Sequence, residues 1–326
     1  MGLKSSQAPR LRSLSGRAPA GYERHALHRP DRSYSETNCY ADVVVELLHG
    51  CGYEPLALFA HVVRMDFEGD QWTFFKPPPE DVELLYGIDI HEMQPYRPLP
   101  LQIAEQLEVG RTLIVELDSY YLPDTASTSY RSEHVKTSVA ADAIDPEAEV
   151  LHYFHGLGLF RLEGEDYRGV FRMGEFSEDV LPPYTELVRF DAGPRLEGDE
   201  LREASLLTLR RSLERRPADN PFRRFGQTLE RELPALREGD LDAYHAYAFA
   251  TVRLAGSGFE ALDSYVSWLL GEPALPVSEA LSDVVDACKA LSFRLARRRE
   301  FDPQELIDRM ATGWGTAIHG LTELVA

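Results

Sequence analysis

Ser33–Gly52, SYSETNCYADVVVELLHGCG, places a cysteine at the mouth of a short amphipathic helix. From Tyr40 onward the apolar residues fall at Tyr40, Val43, Val44, Leu47, Leu48 and Cys51, a spacing of three and four that predicts one buried helical face. Gly50 and Gly52 supply its stop. Upstream, Ser33, Ser35, Thr37 and Asn38 can each accept a bond from an unpaired backbone N–H, and Ser33 with Glu36 has capping-box spacing. Cys39 therefore sits in the first turn or just before it. A helix start offers unpaired N–H groups and a positive dipole end to an anion, a setting in which a cysteine serves as a nucleophile. The bland alternative is a small buried hydrophobe, the ordinary role of a lone cysteine.

Composition narrows the classes. The chain has 326 residues, 44% of them hydrophobic, and a formal net charge of −20. That length suggests two domains, each able to bury a core of its own. Three cysteines without paired spacing argue against a disulfide framework and for a reduced, cytoplasmic setting. No zinc-ligand spacing is present, so no metal is expected. No apolar run approaches the ~20 residues that span a bilayer, so no membrane association is expected. The negative charge argues against nucleic acid as a partner, because phosphate binding needs a dominant basic surface. Gly156-Leu157-Gly158 lacks the rest of a dinucleotide fingerprint, and no cofactor of the chain's own is expected. The charge is uneven, however. Leu209–Phe225, LRRSLERRPADNPFRRF, carries six arginines, of which Arg215, Arg216, Arg223 and Arg224 form a candidate docking strip for an acidic partner.

In chain order, residues 1–29 are polar and without periodicity, and read as a mobile arm. Residues 30–190 carry short helices and β pattern. Thr112–Pro123, TLIVELDSYYLP, reads as a buried strand with Asp118 near its exit. His134–Asp145 alternates as a strand opened by His134, and Asp145-Pro146-Glu147-Ala148 turns the chain into a second strand, Glu149–His155. From residue 191 to 326 the pattern predicts about five helices, near 196–215, 221–236, 240–270, 277–299 and 303–325, and hence a helical bundle. The expected class is α+β: a papain-like domain of helix plus antiparallel sheet over 30–190, then a helical domain over 191–326.

A cysteine at a helix start followed far downstream by a histidine opening a strand is the order of papain-like catalysis. The histidine takes the thiol proton and later returns it to a leaving group, while a third group orients its ring. His134 is the candidate base. His134, His152 and His155 together lack the carboxylate pattern of a zinc site.

Asn38-Cys39 before a helix, Trp72-Thr73-Phe74-Phe75-Lys76-Pro77, Asp118-Ser119-Tyr120-Tyr121-Leu122-Pro123 and His134 beginning a strand together resemble the N-terminal domain of the butirosin-biosynthesis acyltransferase family. More distantly, residues 30–165 are similar to bacteriocin-processing cysteine peptidases. Over nearly its whole length the chain is similar to a bacterial family catalogued only as a domain of unknown function. These resemblances imply an acyl or aminoacyl thioester as substrate, delivered on the phosphopantetheine arm of a carrier protein. Cys39 would take the acyl group and a small amine or second thiol would accept it. Two departures bear on the site. Ser33 stands where related peptidases place an oxyanion-stabilising glutamine, so Asn38 or backbone N–H groups would serve instead. No acid follows in Val150–His155, so Asp118 or His155 would orient His134. The rival readings are a cysteine amidase or peptidase, and an inactive papain-like scaffold that binds a carrier protein.

Overall fold

The computed structural model describes residues 12–174 and 181–326. In its first half the chain runs through α1 (Cys39–Gly50), β1 (Phe67–Glu68), β2 (Gln71–Trp72), α2 (Pro79–Tyr86), β3 (Asp89–Glu92), α3 (Leu99–Glu108) and β4 (Arg111–Asp118). There follow β5 (Lys136–Asp145), β6 (Val150–His155), β7 (Gly158–Glu163), α4 (Gly164–Val170) and β8 (Thr185–Arg189). The remainder is helical: α5 (Gly198–Glu214), α6 (Pro221–Glu238), α7 (Leu241–Ala248), α8 (Leu254–Leu270), α9 (Leu275–Ala296) and α10 (Gln304–Val325). The class is thus α+β, an antiparallel sheet with a helical C-terminal region. No helix among the described residues is long and apolar enough to cross a membrane.

These elements gather into two compact units. The first comprises the described residues of Met1–His25, Asp42–Tyr53 and Gly87–Gly193. Its six-stranded sheet has the order β3-β8-β4-β5-β6-β7, every neighbouring pair antiparallel. The alternation of β4 and β5 aims Leu113, Val115, Leu117, Val139 and Ala141 into a core shared with Ile103 and Leu107 of α3 and Tyr167 and Val170 of α4. A register shift between Ala141 and Ala143 marks a β-bulge in the β5–β6 pairing. Asp142, fully buried at that bulge, takes Leu14 N–H on its carbonyl at 2.8 Å and Ser13 Oγ and Ser15 N–H on its carboxylate at 2.7 and 2.9 Å. The stretch expected to belong to a mobile arm is therefore fastened to the sheet from Ser13 onward, while residues 1–11 lie outside the described residues. Farther along it, Tyr22 Oη donates to buried Glu46 of α1 at 2.6 Å and His25 N–H donates to the same carboxylate at 3.0 Å. Sequence pattern missed this fastening because its acceptors lie far away in the chain.

The second unit comprises Ala26–Ala41, Glu54–Tyr86 and Pro194–Ala326. A 3-10 helix, Pro55–Arg64, leads into the β1–β2 ribbon. The ribbon's Trp72 is fully buried against Phe222, Phe225 and Phe259, with ring centroids 4.7, 6.3 and 6.3 Å away. This aromatic cluster fixes the ribbon to α6 and α8. Helices α9 and α10 approach closely at Gly313, where a Cβ would lie 2.6 Å from the carbonyl oxygen of Ala280. All five helical segments expected after residue 196 are present, the third divided by a π-helical turn at Phe249–Arg253. The aromatic run Phe67–Phe75 forms only the two-residue strands β1 and β2, and Gly164–Val170 is the helix α4.

His61, on the 3-10 helix, is buried, and its Nδ1 donates to the carbonyl of Leu58 at 2.6 Å. Burial holds it neutral by lowering its pKa from 6.5 to about 4, with the nearby charge of Arg64 acting in the same direction and the Leu58 bond against it. On unfolding the ring regains a pKa of 6.5, so between the two values the unfolded chain binds the extra proton. The stability from the neutral ring is complete above pH 6.5 and is lost as pH falls from 6.5 to about 4. The loss amounts to about 3 kcal/mol. Urea unfolding over this range is expected to show that decline in the wild type and a flatter profile in His61→Leu.

Candidate functional site

Asn38 begins α1. Its Oδ1 accepts the N–H of Ala41 at 2.9 Å, and its Nδ2 donates to the carbonyl of Phe75 at 3.0 Å. The cap is buried. Cys39 is thus the first residue of the helix, half-buried. The expected Ser33–Glu36 capping box does not form, because each residue is used by α8 and its π-helical approach. Ser33 N–H donates to Glu260 at 2.9 Å, and Arg253 reaches Glu36 at 2.7 Å. At the other end of α1 the chain closes as expected: Tyr53 N–H returns to the carbonyl of Leu48 at 2.8 Å, and Gly52 takes a positive φ of 80°.

His134 lies two residues before β5 rather than on it. The β4–β5 loop is closed at its neck by Ser119, whose N–H and Oγ both donate to the carbonyl of Val135 at 2.9 Å. That closure brings His134 back beside the end of β4. Its Nδ1 meets Asp118 Oδ2 at 2.7 Å, and Asp118 Oδ1 accepts the N–H of Tyr120 at 3.1 Å. The imidazole stacks on Tyr120, centroids 4.4 Å apart and planes 13° from parallel. Two of the ring's degrees of freedom are thereby set, by a carboxylate at one edge and an aromatic face beneath. Nε2 has no hydrogen-bond partner among the described residues, and the side chain is 67% exposed. Arg131 supports the loop from outside. It holds a left-handed φ of 56°, its N–H donates to the Tyr120 carbonyl at 3.0 Å and its guanidinium meets Asp166 at 2.5 Å.

His155 is differently placed. Its Nδ1 meets Asp124 Oδ2 at 2.5 Å and its Nε2 meets Thr137 Oγ1 at 2.8 Å, while Tyr153 Oη donates to the other oxygen of Asp124 at 2.5 Å. Both ring nitrogens are taken, so His155 does not orient His134, and Asp118 holds that place. Asp124, Thr137 and Tyr153 were not singled out from sequence. The only available signal was the alternation that sends Thr137 and Tyr153 inward.

Residues 23–190 match the DUF1839 N-terminal domain and residues 198–323 the DUF1839 C-terminal domain. The chain belongs to the DUF1839 family. No curated protein matches it. Family membership gives the DUF1839 chain a two-part organisation and no chemistry, which must be argued from side chains.

Among those side chains, the arginine strip is partly committed. Arg224 pairs with Asp66 and also donates to the carbonyl of Phe67 at 3.3 Å, and Arg223 pairs with Asp308, all within the second unit. Arg216 donates to the carbonyl of Leu213 at 2.6 Å, and Arg215 and Arg216 are exposed. The expectation that four arginines stand ready for a partner reduces to these two.

Of the three thiols, Cys288 is fully buried against Met310, and burial pushes its thiol well above the ordinary range. Cys51 follows the C-terminal end of α1. Iodoacetamide at pH near 6.5 is expected to modify Cys39 first and leave Cys288 untouched until the chain unfolds. Peptide mass mapping reads the order, and faster labelling of Cys51 with Cys39 inert would remove Cys39 as a nucleophile.

Proposed function

We propose that this DUF1839 protein is a cysteine-dependent acyl or aminoacyl transferase with papain-like chemistry. Cys39 takes an acyl group from a carrier-protein thioester and passes it to a small amine. The observation that carries this reading is the Asp118–His134 pair: a carboxylate at 2.7 Å fixes Nδ1 and leaves Nε2 for proton transfer. Cys39, at the first position of α1, is the matching nucleophile on chemical grounds. The resemblance to the butirosin acyltransferase domain supports the choice of a thioester donor.

The step balances without a metal or redox partner. The Cys39 sulfur attacks the thioester carbonyl carbon as its proton passes to His134. The bond from that carbon to the phosphopantetheine sulfur breaks, and the departing thiol takes the proton back. An amine then attacks the acyl-Cys39 thioester, giving up a proton to His134, and an amide forms as the Cys39 thiol is restored. Exchange between two thioesters is near balance, so the first step needs little driving force. Asn38 is occupied by Ala41 and Phe75, so we assign the oxyanion to backbone N–H groups at the start of α1.

The test is intact-protein mass after mixing with a panel of acyl-loaded carrier proteins. An adduct of the acyl mass is expected on Cys39 and absent in Cys39→Ala. His134→Ala is expected to slow loading by about a hundredfold to ten-thousandfold, with Asp118→Asn less affected. Absence of any adduct across the panel would overturn the transferase reading, and release of the acyl group to water alone would turn it into a hydrolase.

We further propose that the acidic carrier docks through Arg215 and Arg216. Reversing both to glutamate is expected to slow loading from a carrier several-fold, with the loss shrinking at high salt. Loading from a small thioester mimic is expected to stay unchanged, and equal losses with both donors would remove the docking role.

A further inference from the structure

Within the second unit, a row of residues on α8 grips the segment that leads into Cys39. Arg253, which ends the π-helical turn, is followed by Gly256, Glu260 and Ser264 at helical spacing, so the four share one face. Glu260 is the centre of the row. One of its carboxylate oxygens accepts the N–H of Ser33 at 2.9 Å, the other accepts the N–H of Tyr34 at 2.8 Å, and Arg32 pairs with it at 3.7 Å. A single side chain thus engages three consecutive residues. Ser264 takes the Arg32 guanidinium at 3.0 Å, and Arg253 reaches Glu36 at 2.7 Å. At Gly256 a Cβ would lie 2.5 Å from the Tyr34 ring, so the absence of a side chain is what lets that ring lie on the helix.

The same helix also reaches the residue that holds the Cys39 cap. At Gly258 a Cβ would lie 2.6 Å from Met65 Sδ and 3.3 Å from the Phe75 ring, and the Phe75 carbonyl is the group that Asn38 Nδ2 bonds. Between Tyr34 and Asn38 stand Ser35, Glu36 and Thr37, of which Glu36 is itself held by Arg253. The backbone before Cys39 and the partner of its cap therefore both rest on α8. Cys39 falls within the N-terminal family match, residues 23–190, and α8 within the C-terminal match, residues 198–323. Ala26–Ala41 and Pro194–Ala326 nevertheless belong to one compact unit.

We infer that Glu260 is a positioning residue for Cys39, and that the C-terminal DUF1839 domain serves, through α8, to set the entry of the nucleophile's helix. The role rests on the nucleophile reading of Cys39 and not on any acyl group, carrier or acceptor. A thiol at the first position of a helix works with the backbone N–H groups around it, so its chemistry depends on how the chain enters that helix. A carboxylate that accepts two N–H groups from adjacent residues makes two charge-assisted bonds and fixes the entering chain in both place and rotation. Glu260→Gln keeps the volume but turns one acceptor into a donor facing a backbone N–H, so one of those bonds is lost. Misplacing a reacting group by about 1 Å costs up to about a hundredfold in rate. Losing a positioning contact changes Cys39 alone, whereas losing a contact that only stabilises the bundle leaves Cys39 as it was in the folded chain.

The experiment uses the full chain and its own three thiols. Iodoacetamide labelling well below the unfolding temperature, read by peptide mass mapping, gives the ratio of the Cys39 rate to that of Cys51, which lies in the first unit. In Glu260→Gln, and separately in Gly256→Ala, that ratio is expected to fall by about tenfold or more. Cys288, buried in α9, is expected to stay unlabelled and so to report an intact bundle. Hydrogen exchange at the Ser33 and Tyr34 amides is expected to quicken in Glu260→Gln. Gly313→Ala, which crowds α9 against α10, is the control, expected to lower the unfolding temperature and leave the ratio unchanged. Where labelled Cys288 shows that one α8 variant has unfolded, the other decides. A ratio unchanged or raised in the folded α8 variants, or an equal fall in Gly313→Ala, would overturn the positioning role. A wild-type Cys39 no faster than Cys51 would remove the nucleophile and this role with it. Labelling needs no thioester, so acyl transfer fails separately. A ratio lost in the variants with no acyl adduct on the wild type leaves the positioning role and removes acyl transfer; an adduct on the wild type with an unchanged ratio does the reverse.

Discussion

One buried amide, Asn38, ties the start of α1 to the segment around Phe75. A helix start has N–H groups without partners, and Asn38 satisfies one of them through Ala41 while its other end grips the carbonyl of Phe75. An alanine there would lose both bonds, and a cap of this kind is worth about 1 kcal/mol before the second bond is considered. The consequence is positional. Cys39 is placed at the first position of α1, and Phe75 and Lys76 lie against the helix start through Asn38 and the Tyr40 ring. The cap therefore couples a nucleophile candidate to Phe75, although the residues are far apart in sequence.

The sheet solves a different problem. A histidine on an exposed loop would ordinarily sample many orientations, each costing side-chain entropy to fix. Here the neck of the loop is closed by Ser119 to Val135, the strand pair is in register at Asp118 and Lys136, and the imidazole lies flat on Tyr120. Order is supplied by backbone geometry and one aromatic face, and Asp118 then needs only to select which nitrogen carries the proton. Arg131 in a left-handed conformation shows that the loop is held against a local steric preference, by partners spread over Tyr120 and Asp166.

Much of this could be read from sequence where the signal is periodic and local. The α1 face, the Gly52 stop, the strands around Asp118 and Glu149–His155, and the helices beyond residue 196 all follow from spacing and punctuation. What escaped reading depends on partners distant in the chain. Ser33 and Glu36 have the spacing of a capping box, yet Glu260 and Arg253 compete for them and win. Residues 12–25 lack any pattern of their own, because the order comes from the bulge at Asp142 and from buried Glu46. His134 reads as the first residue of a strand, but the ladder begins at Lys136 and the histidine is free to bend back toward Asp118. Arg223 and Arg224 look like surface charge in isolation and turn out to be matched by Asp308 and Asp66.

Two of the histidine–carboxylate pairs among the described residues of the sheet unit show why local chemistry alone does not mark a reactive site. His134 with Asp118 and His155 with Asp124 are the same donor and acceptor types at 2.7 and 2.5 Å. His155 is buried, its second nitrogen is closed by Thr137, and its carboxylate is shared with Tyr153. Such a network satisfies every group it buries and lends the core specificity, but it leaves no atom able to exchange a proton with a substrate. His134 is exposed, and its second nitrogen carries no partner among the described residues. The difference lies in one occupied or unoccupied ring position, which is fixed by whether the histidine falls inside the strand ladder or just before it.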